Sequence, residues 1–123
     1  MNTSEKNIPK LFEQITNYFS PKIIGEVNDV YIKLTKVKGD DVPWHIHDNE
    51  DEMFFIFRGS LTMQIEKKDS FELKEGDFYI VKKGLLHRVF SVDECLVMLV
   101  ENKETKHTGS VQSKITKSVE EQF

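Results

Sequence analysis

The chain has 123 residues, 38% apolar and 31% charged, with a net charge of −4 and a pI near 5.6. That length fits one domain able to bury roughly two thirds of its unfolded surface, and the acidic balance argues against nucleic acid as a partner. A single cysteine, Cys95, excludes an intrachain disulfide and any multi-cysteine zinc site.

The opening "MNTSEKNIPK" has no apolar core of a secretion signal, and no run reaches the ~18 apolar residues of a membrane span. A cytoplasmic protein is the expectation. Residues 1–22 read as an N-terminal helical segment. In "NIPKLFEQITNYFS", Ile8, Leu11, Phe12, Ile15 and Phe19 recur at helical spacing on one face. Pro9 suits the first turn, and Pro21 ends the pattern.

Residues 23–101 change character. Short β-rich runs alternate with turns: "VYIKLTKV", "EMFFIFR", "LTMQIE", "FEL", "FYIV", "HRVFSV" and "CLVMLVE", the last two separated by "DE". Turn signals about every 8–12 residues predict an all-β antiparallel sandwich or barrel. Residues 102–123 form a polar tail with Val111, Ile115, Val119 and Phe123 as apolar anchors. Their four-residue spacing predicts either a frayed helix or a partly ordered segment.

The stretch "PWHIHDNEDEMFFIFRG", residues 43–59, carries the chemistry. Alternation puts His45 and His47 on one face of an extended segment, with Trp44 and Ile46 on the other. Glu52 opens the next β run, after a solvated turn of Asp48, Asn49, Glu50 and Asp51. Phe54 and Ile56 share its face, while Met53, Phe55 and Phe57 form a second apolar face. His87 follows the "KKGLL" turn. Three imidazoles and a carboxylate suit one divalent iron, manganese, nickel or zinc ion, and resemble a catalytic set more than a closed structural one. Neutral imidazoles are needed, so metal affinity is expected to fall below pH ~6.5. Lys82, Lys83 and Arg88 read as a solvated turn, with attraction of an anion as the lesser alternative. Cys95 reads as an inward-facing small hydrophobe.

The spacing also resembles a known family. Gly39, His45, His47, Glu52 and Gly59 match the first cupin motif at every defined position. Gly76, Gly84 and His87 resemble the second motif, with Lys82 where that motif has proline and Ser91 where it has asparagine. The chain therefore resembles a small single-domain cupin over residues 25–101. The resemblance implies an RmlC-like jelly-roll β-barrel with a metal held by His45, His47, Glu52 and His87. Phe54, Ile56 and Val89 are expected to line a substrate pocket.

Two functions are expected to compete. One is an enzyme acting on a small organic molecule, of dioxygenase or of isomerase/lyase type. The other is a non-catalytic, metal-dependent module that binds a small ligand. The surplus of apolar surface predicts a homodimer.

Overall fold

The computed structural model describes residues 4–123. Its elements in chain order are helix α1 (Ile8–Glu13), strands β1 (Lys22–Val27), β2 (Val30–Gly39), β3 (Glu52–Arg58), β4 (Ser60–Ile65), β5 (Phe71–Lys74), β6 (Phe78–Val81) and β7 (His87–Asn102), and a 3-10 turn at Glu120–Gln122. The described strands all pair antiparallel. This is the mostly β, jelly-roll architecture expected from the sequence.

One layer runs β1-β2-β7-β3-β6, and β4 pairs with β5 and with β7 in the other. Strand β7 belongs to both layers. Its first residues, His87 to Phe90, pair with β4. Its second half, from Cys95 onward, lies between β2 and β3. The expected "DE" turn at Asp93–Glu94 is instead a bend inside one continuous strand. Gly59 makes room for that bend. It sits at φ 86°, and a Cβ there would lie 2.6 Å from the Glu94 carbonyl oxygen. A glycine satisfies both demands at once.

The core follows the period-2 pattern. Phe54 and Ile56 from β3, Leu61 and Met63 from β4, and Val97 and Leu99 from β7 fill the barrel. Cys95 is fully buried among them, and burial pushes its thiol up to about 12, so it packs as a hydrophobe. The outer face of β3 is covered by the N-terminal segment, where Phe57 stacks on Phe12 at 5.4 Å between ring centroids.

Three further sequence expectations change. Helix α1 begins as expected, with Asn7 capping the Lys10 N–H and proline in the first turn, but it ends at Glu13. Ile15, Thr16 and Asn17 are poor helix formers. Phe19 takes φ 56°, donates its N–H to the Lys36 carbonyl, and leaves the helix face for the barrel core. Strand β1, hidden in "KIIGEV", forms a hairpin with β2. The tail forms no α-helix among the described residues. Thr108, Ser113 and Thr116 hydrogen-bond one another and nearby backbone instead, an alternative to the helical ladder that such side chains favour. The tail is nevertheless packed: Thr105, Thr108, Ile115 and Gln122 are buried. No helix among the described residues is long and apolar enough to cross a membrane.

Candidate metal centre

Two loops are zipped together to make the site. His45 and His87 exchange both backbone hydrogen bonds, each at 3.0 Å, and the Gly84 N–H donates to the His47 carbonyl. This single bridge holds the 45–47 segment extended, so His45 and His47 share a face without a full strand. Glu52, the first residue of β3, lies opposite Glu101 of β7. Asp51 accepts the Lys83 N–H at 2.9 Å and faces Lys82 Nζ at 3.5 Å. That clamp holds the turn before His87 in the absence of the motif's proline. Ser91, in place of asparagine, donates to the Asp93 carbonyl at the strand bend.

His45, His47, Glu52 and His87 are all buried, and each offers a ligand atom within 4.8 Å of the other three. His47 Nε2 lies 3.5 Å and His87 Nε2 3.8 Å from Glu52 Oε1. The ring centroids of the three histidines are 4.4–5.5 Å apart. His45 Nδ1 lies 2.8 Å from the Pro43 carbonyl, and His87 Nδ1 lies 2.9 Å from that of Leu85. A carbonyl can only accept, so each Nδ1 carries the proton and each Nε2 keeps its lone pair.

These nitrogens fit a cation. His87 Nε2 and both ring nitrogens of His47 are buried without a hydrogen-bond partner. Buried polar atoms are rarely left so, at a cost of about 1–3 kcal/mol each. A divalent ion held by three imidazoles and one carboxylate removes that cost for the atoms that bind it.

The electrostatics favour the metal-ready form. Burial, then the neighbouring His87, lowers the His45 pKa to about 4. That ligand stays neutral well below pH 6.5, so for His45 the expected loss of affinity moves to lower pH. Burial alone would raise Glu52. The neighbouring Glu101, His47 and His87 side chains outweigh it and hold Glu52 well below the usual carboxylate range. Glu101 goes the other way: burial and the Glu52 charge push it well up, against the opposing pull of Lys33. Glu101 Oε2 has no donor nearby. A proton on Glu101, directed at Glu52, resolves the orphan oxygen and the like-charge contact together.

Behind Glu101 stands Lys33, itself buried, with Nζ 2.7 Å from Glu101 Oε1 and 2.5 Å from Gln122 Oε1. The Gln122 amide donates to the Lys117 and Ser118 carbonyls. A polar chain thus runs from the candidate ligand Glu52 to the C-terminal tail.

A cavity of about 50 Å³ opens beside the cluster. Phe54 and Val89 line it, together with His45, Glu52 and His87. Ile56 is fully buried in the core but is not on the cavity wall. Phe19, Glu101 and His107 do line it, and none of the three stands out in the sequence as part of a site. Lys33 and Glu101 carry a faint signal: each is a charge at an inward position of an otherwise apolar alternation. His107 carries none beyond its residue type.

The neighbouring charges face away from this cavity. Lys82 is exposed and paired with Asp51. Arg88 lies over the half-exposed Trp44 ring at 5.4 Å and donates to Gln64. The anion alternative finds no support there.

Comparison with known proteins agrees with this fold. The Bacillus subtilis (strain 168) protein YdbB is 32% identical over 83 residues, covering 68% of this chain and 73% of that protein. A cupin-2 domain protein from Shewanella frigidimarina has a crystal structure matching at TM-score 0.76 and 32% identity, covering 80% of this chain and 94% of the other. A Neisseria meningitidis protein matches at TM-score 0.74 and 27% identity, covering 81% and 100%. The cupin domain family model matches residues 34–101, the stretch from mid-β2 through the whole candidate centre. The chain belongs to the cupin family.

Proposed function

We propose that this cupin is a metal-dependent enzyme acting on a small organic molecule, with iron, manganese, nickel or zinc at a centre of His45, His47, Glu52 and His87. The observation that carries this is the set of buried ring nitrogens that have no partner and face one carboxylate. When bound, the ion supplies Lewis-acid polarisation or, for iron, redox chemistry at the coordination positions that four protein ligands leave open. The residues do the rest. Pro43 and Leu85 carbonyls fix the His45 and His87 tautomers. Glu101 orients the Glu52 carboxylate, and Phe54 and Val89 supply apolar walls that keep water out.

A second reading is a metal-dependent holder of a small ligand. It is favoured by the tightness of the cavity, and by Glu101 being engaged with Lys33 and Glu52 rather than free as a base. The test is turnover. Protein loaded with iron, manganese, nickel or zinc is offered small diketones, thiols and catechols, with oxygen uptake and product formation followed. Turnover with any one ion supports the enzyme. Tight retention of a small molecule with no turnover under any ion assigns the holder.

A further inference from the structure

The cavity has a polar group that the metal cluster does not use. His107 comes from the tail, past the end of β7 at Asn102, and it lines the same cavity as His45, Glu52 and His87. Its tautomer is fixed by backbone. The Lys117 N–H donates to His107 Nδ1 at 3.0 Å, so Nδ1 is the acceptor. Burial, then the charge of Lys33, lowers its pKa to about 4, so the ring is neutral. In a neutral imidazole whose Nδ1 accepts, the proton sits on Nε2.

The tail is keyed in place to hold this ring. Gly109, two residues on, takes φ 58° against the Ile46 carbonyl, where a Cβ would lie 2.2 Å from the oxygen. Thr108 bonds Thr116 at 2.7 Å. Gln122 closes the tail onto Lys33. Apart from Thr35 and Glu101, the remaining cavity wall is apolar, with Val37, Phe54, Leu61 and Leu99 among its residues.

We propose that His107 is a specificity-determining donor: its Nε2–H recognises an oxygen of a compact, largely apolar carboxylate, such as a short 2-oxo acid, bound beside the metal cluster. This rests on the metal reading of the site. An apolar pocket with one fixed N–H donor selects a ligand with an apolar body and one acceptor head. A ligand lacking that acceptor leaves the donor unpaired. The cavity, about 50 Å³, sets the scale: it exceeds several-fold the ~10–15 Å³ that admits one water, and excludes bulky substrates.

The experiment is calorimetric titration of the zinc-loaded full chain with 2-oxobutanoate, alongside zinc stoichiometry. Two amide variants separate anchoring from recognition. In His107→Asn the amide oxygen can replace Nδ1 as acceptor for Lys117, but no donor reaches the Nε2 position. In His107→Gln the longer side chain places an amide N–H there. The expected result is affinity at least about tenfold weaker for His107→Asn, in line with a hydrogen bond to a charged acceptor. His107→Gln is expected to stay within about threefold of wild type, with zinc stoichiometry unchanged in both. Equal binding by His107→Asn and wild type overturns the proposal, as does wild-type protein that holds zinc but ignores 2-oxobutanoate. Wild-type protein that takes up no zinc fails earlier, at the metal reading itself.

Discussion

Replacing Lys33 with methionine tests the buried polar chain behind the centre. Lys33 Nζ is bonded to Glu101 at 2.7 Å and to Gln122 at 2.5 Å, and its side chain is almost wholly buried. Methionine keeps the volume and removes the charge. One negative charge then stays buried on the Glu52–Glu101 pair without this cation, and Gln122 Oε1 loses its donor. Breaking a buried pair by removing one partner costs about 3–5 kcal/mol. The pair can limit the loss by taking up a proton, which raises its pKa above the unfolded carboxylate value. The folded variant then binds more protons than the unfolded chain, so its deficit shrinks as pH falls toward about 4.3. Urea unfolding of metal-free protein at pH 7 and pH 5 reads both terms. The expected deficit is about 3–5 kcal/mol at pH 7 and clearly smaller at pH 5. Glu101→Gln is the control. Glu101 is the partner that holds the proton, so the neutral isostere is expected to cost less than about 1 kcal/mol. A deficit below about 1 kcal/mol for Lys33→Met at pH 7, or one independent of pH, refutes the idea that Lys33 balances a buried charge. A Glu101→Gln loss as large as that of Lys33→Met places the charge on Glu101 instead.

Other consequences are open to measurement. His45 has its pKa lowered from 6.5 to about 4, so between those values the unfolded chain binds the extra proton. Metal-free stability is therefore expected to be flat above pH 6.5 and to fall from there toward pH 4, by on the order of 3 kcal/mol from this residue; denaturation midpoints that do not fall across that range contradict it. Gly109→Ala places a Cβ into the Ile46 carbonyl in a left-handed conformation, so the tail should lift and limited proteolysis should cut residues 105–123 faster than in wild type, while equal cutting rates refute the keying role. The expected homodimer has an apolar edge available in Phe78 and Ile80 on β6, which ends its layer; sedimentation at twice the 14.4 kDa chain mass is expected, and a monomer alone counts against it.

The sequence made the centre legible because strand alternation has a strict period. His45, His47, Glu52 and the inward Phe54 follow from counting by twos, and the motif spacing brought in His87 from forty residues away. What it hid was whatever depended on tertiary contact. Phe19 sits at helical spacing from Ile15, yet a left-handed backbone and the Lys36 carbonyl turn it into the barrel. Ile56 alternates correctly but packs in the core, off the cavity wall, while Val89 reaches that wall from another strand. The tail read as polar and loosely ordered because its cohesion lies in hydroxyl and amide hydrogen bonds rather than in apolar periodicity. His107 could not be placed until that tail was, since nothing in its neighbours' sequence points toward the barrel. Lys33 is the most instructive case. A lysine in a strand is ordinarily exposed, and it is the inward Glu101 on the neighbouring strand, with Gln122 from the tail, that makes its burial tolerable.

The most direct measurement is the metal content of protein purified without a histidine tag, wild type beside His47→Ala. Close to one divalent transition-metal ion per chain in wild type, with most of it lost in a His47→Ala protein that still unfolds cooperatively, is the expected result. Stoichiometric metal retained by His47→Ala, or none bound by wild type, contradicts the assignment of His45, His47, Glu52 and His87 as one metal centre.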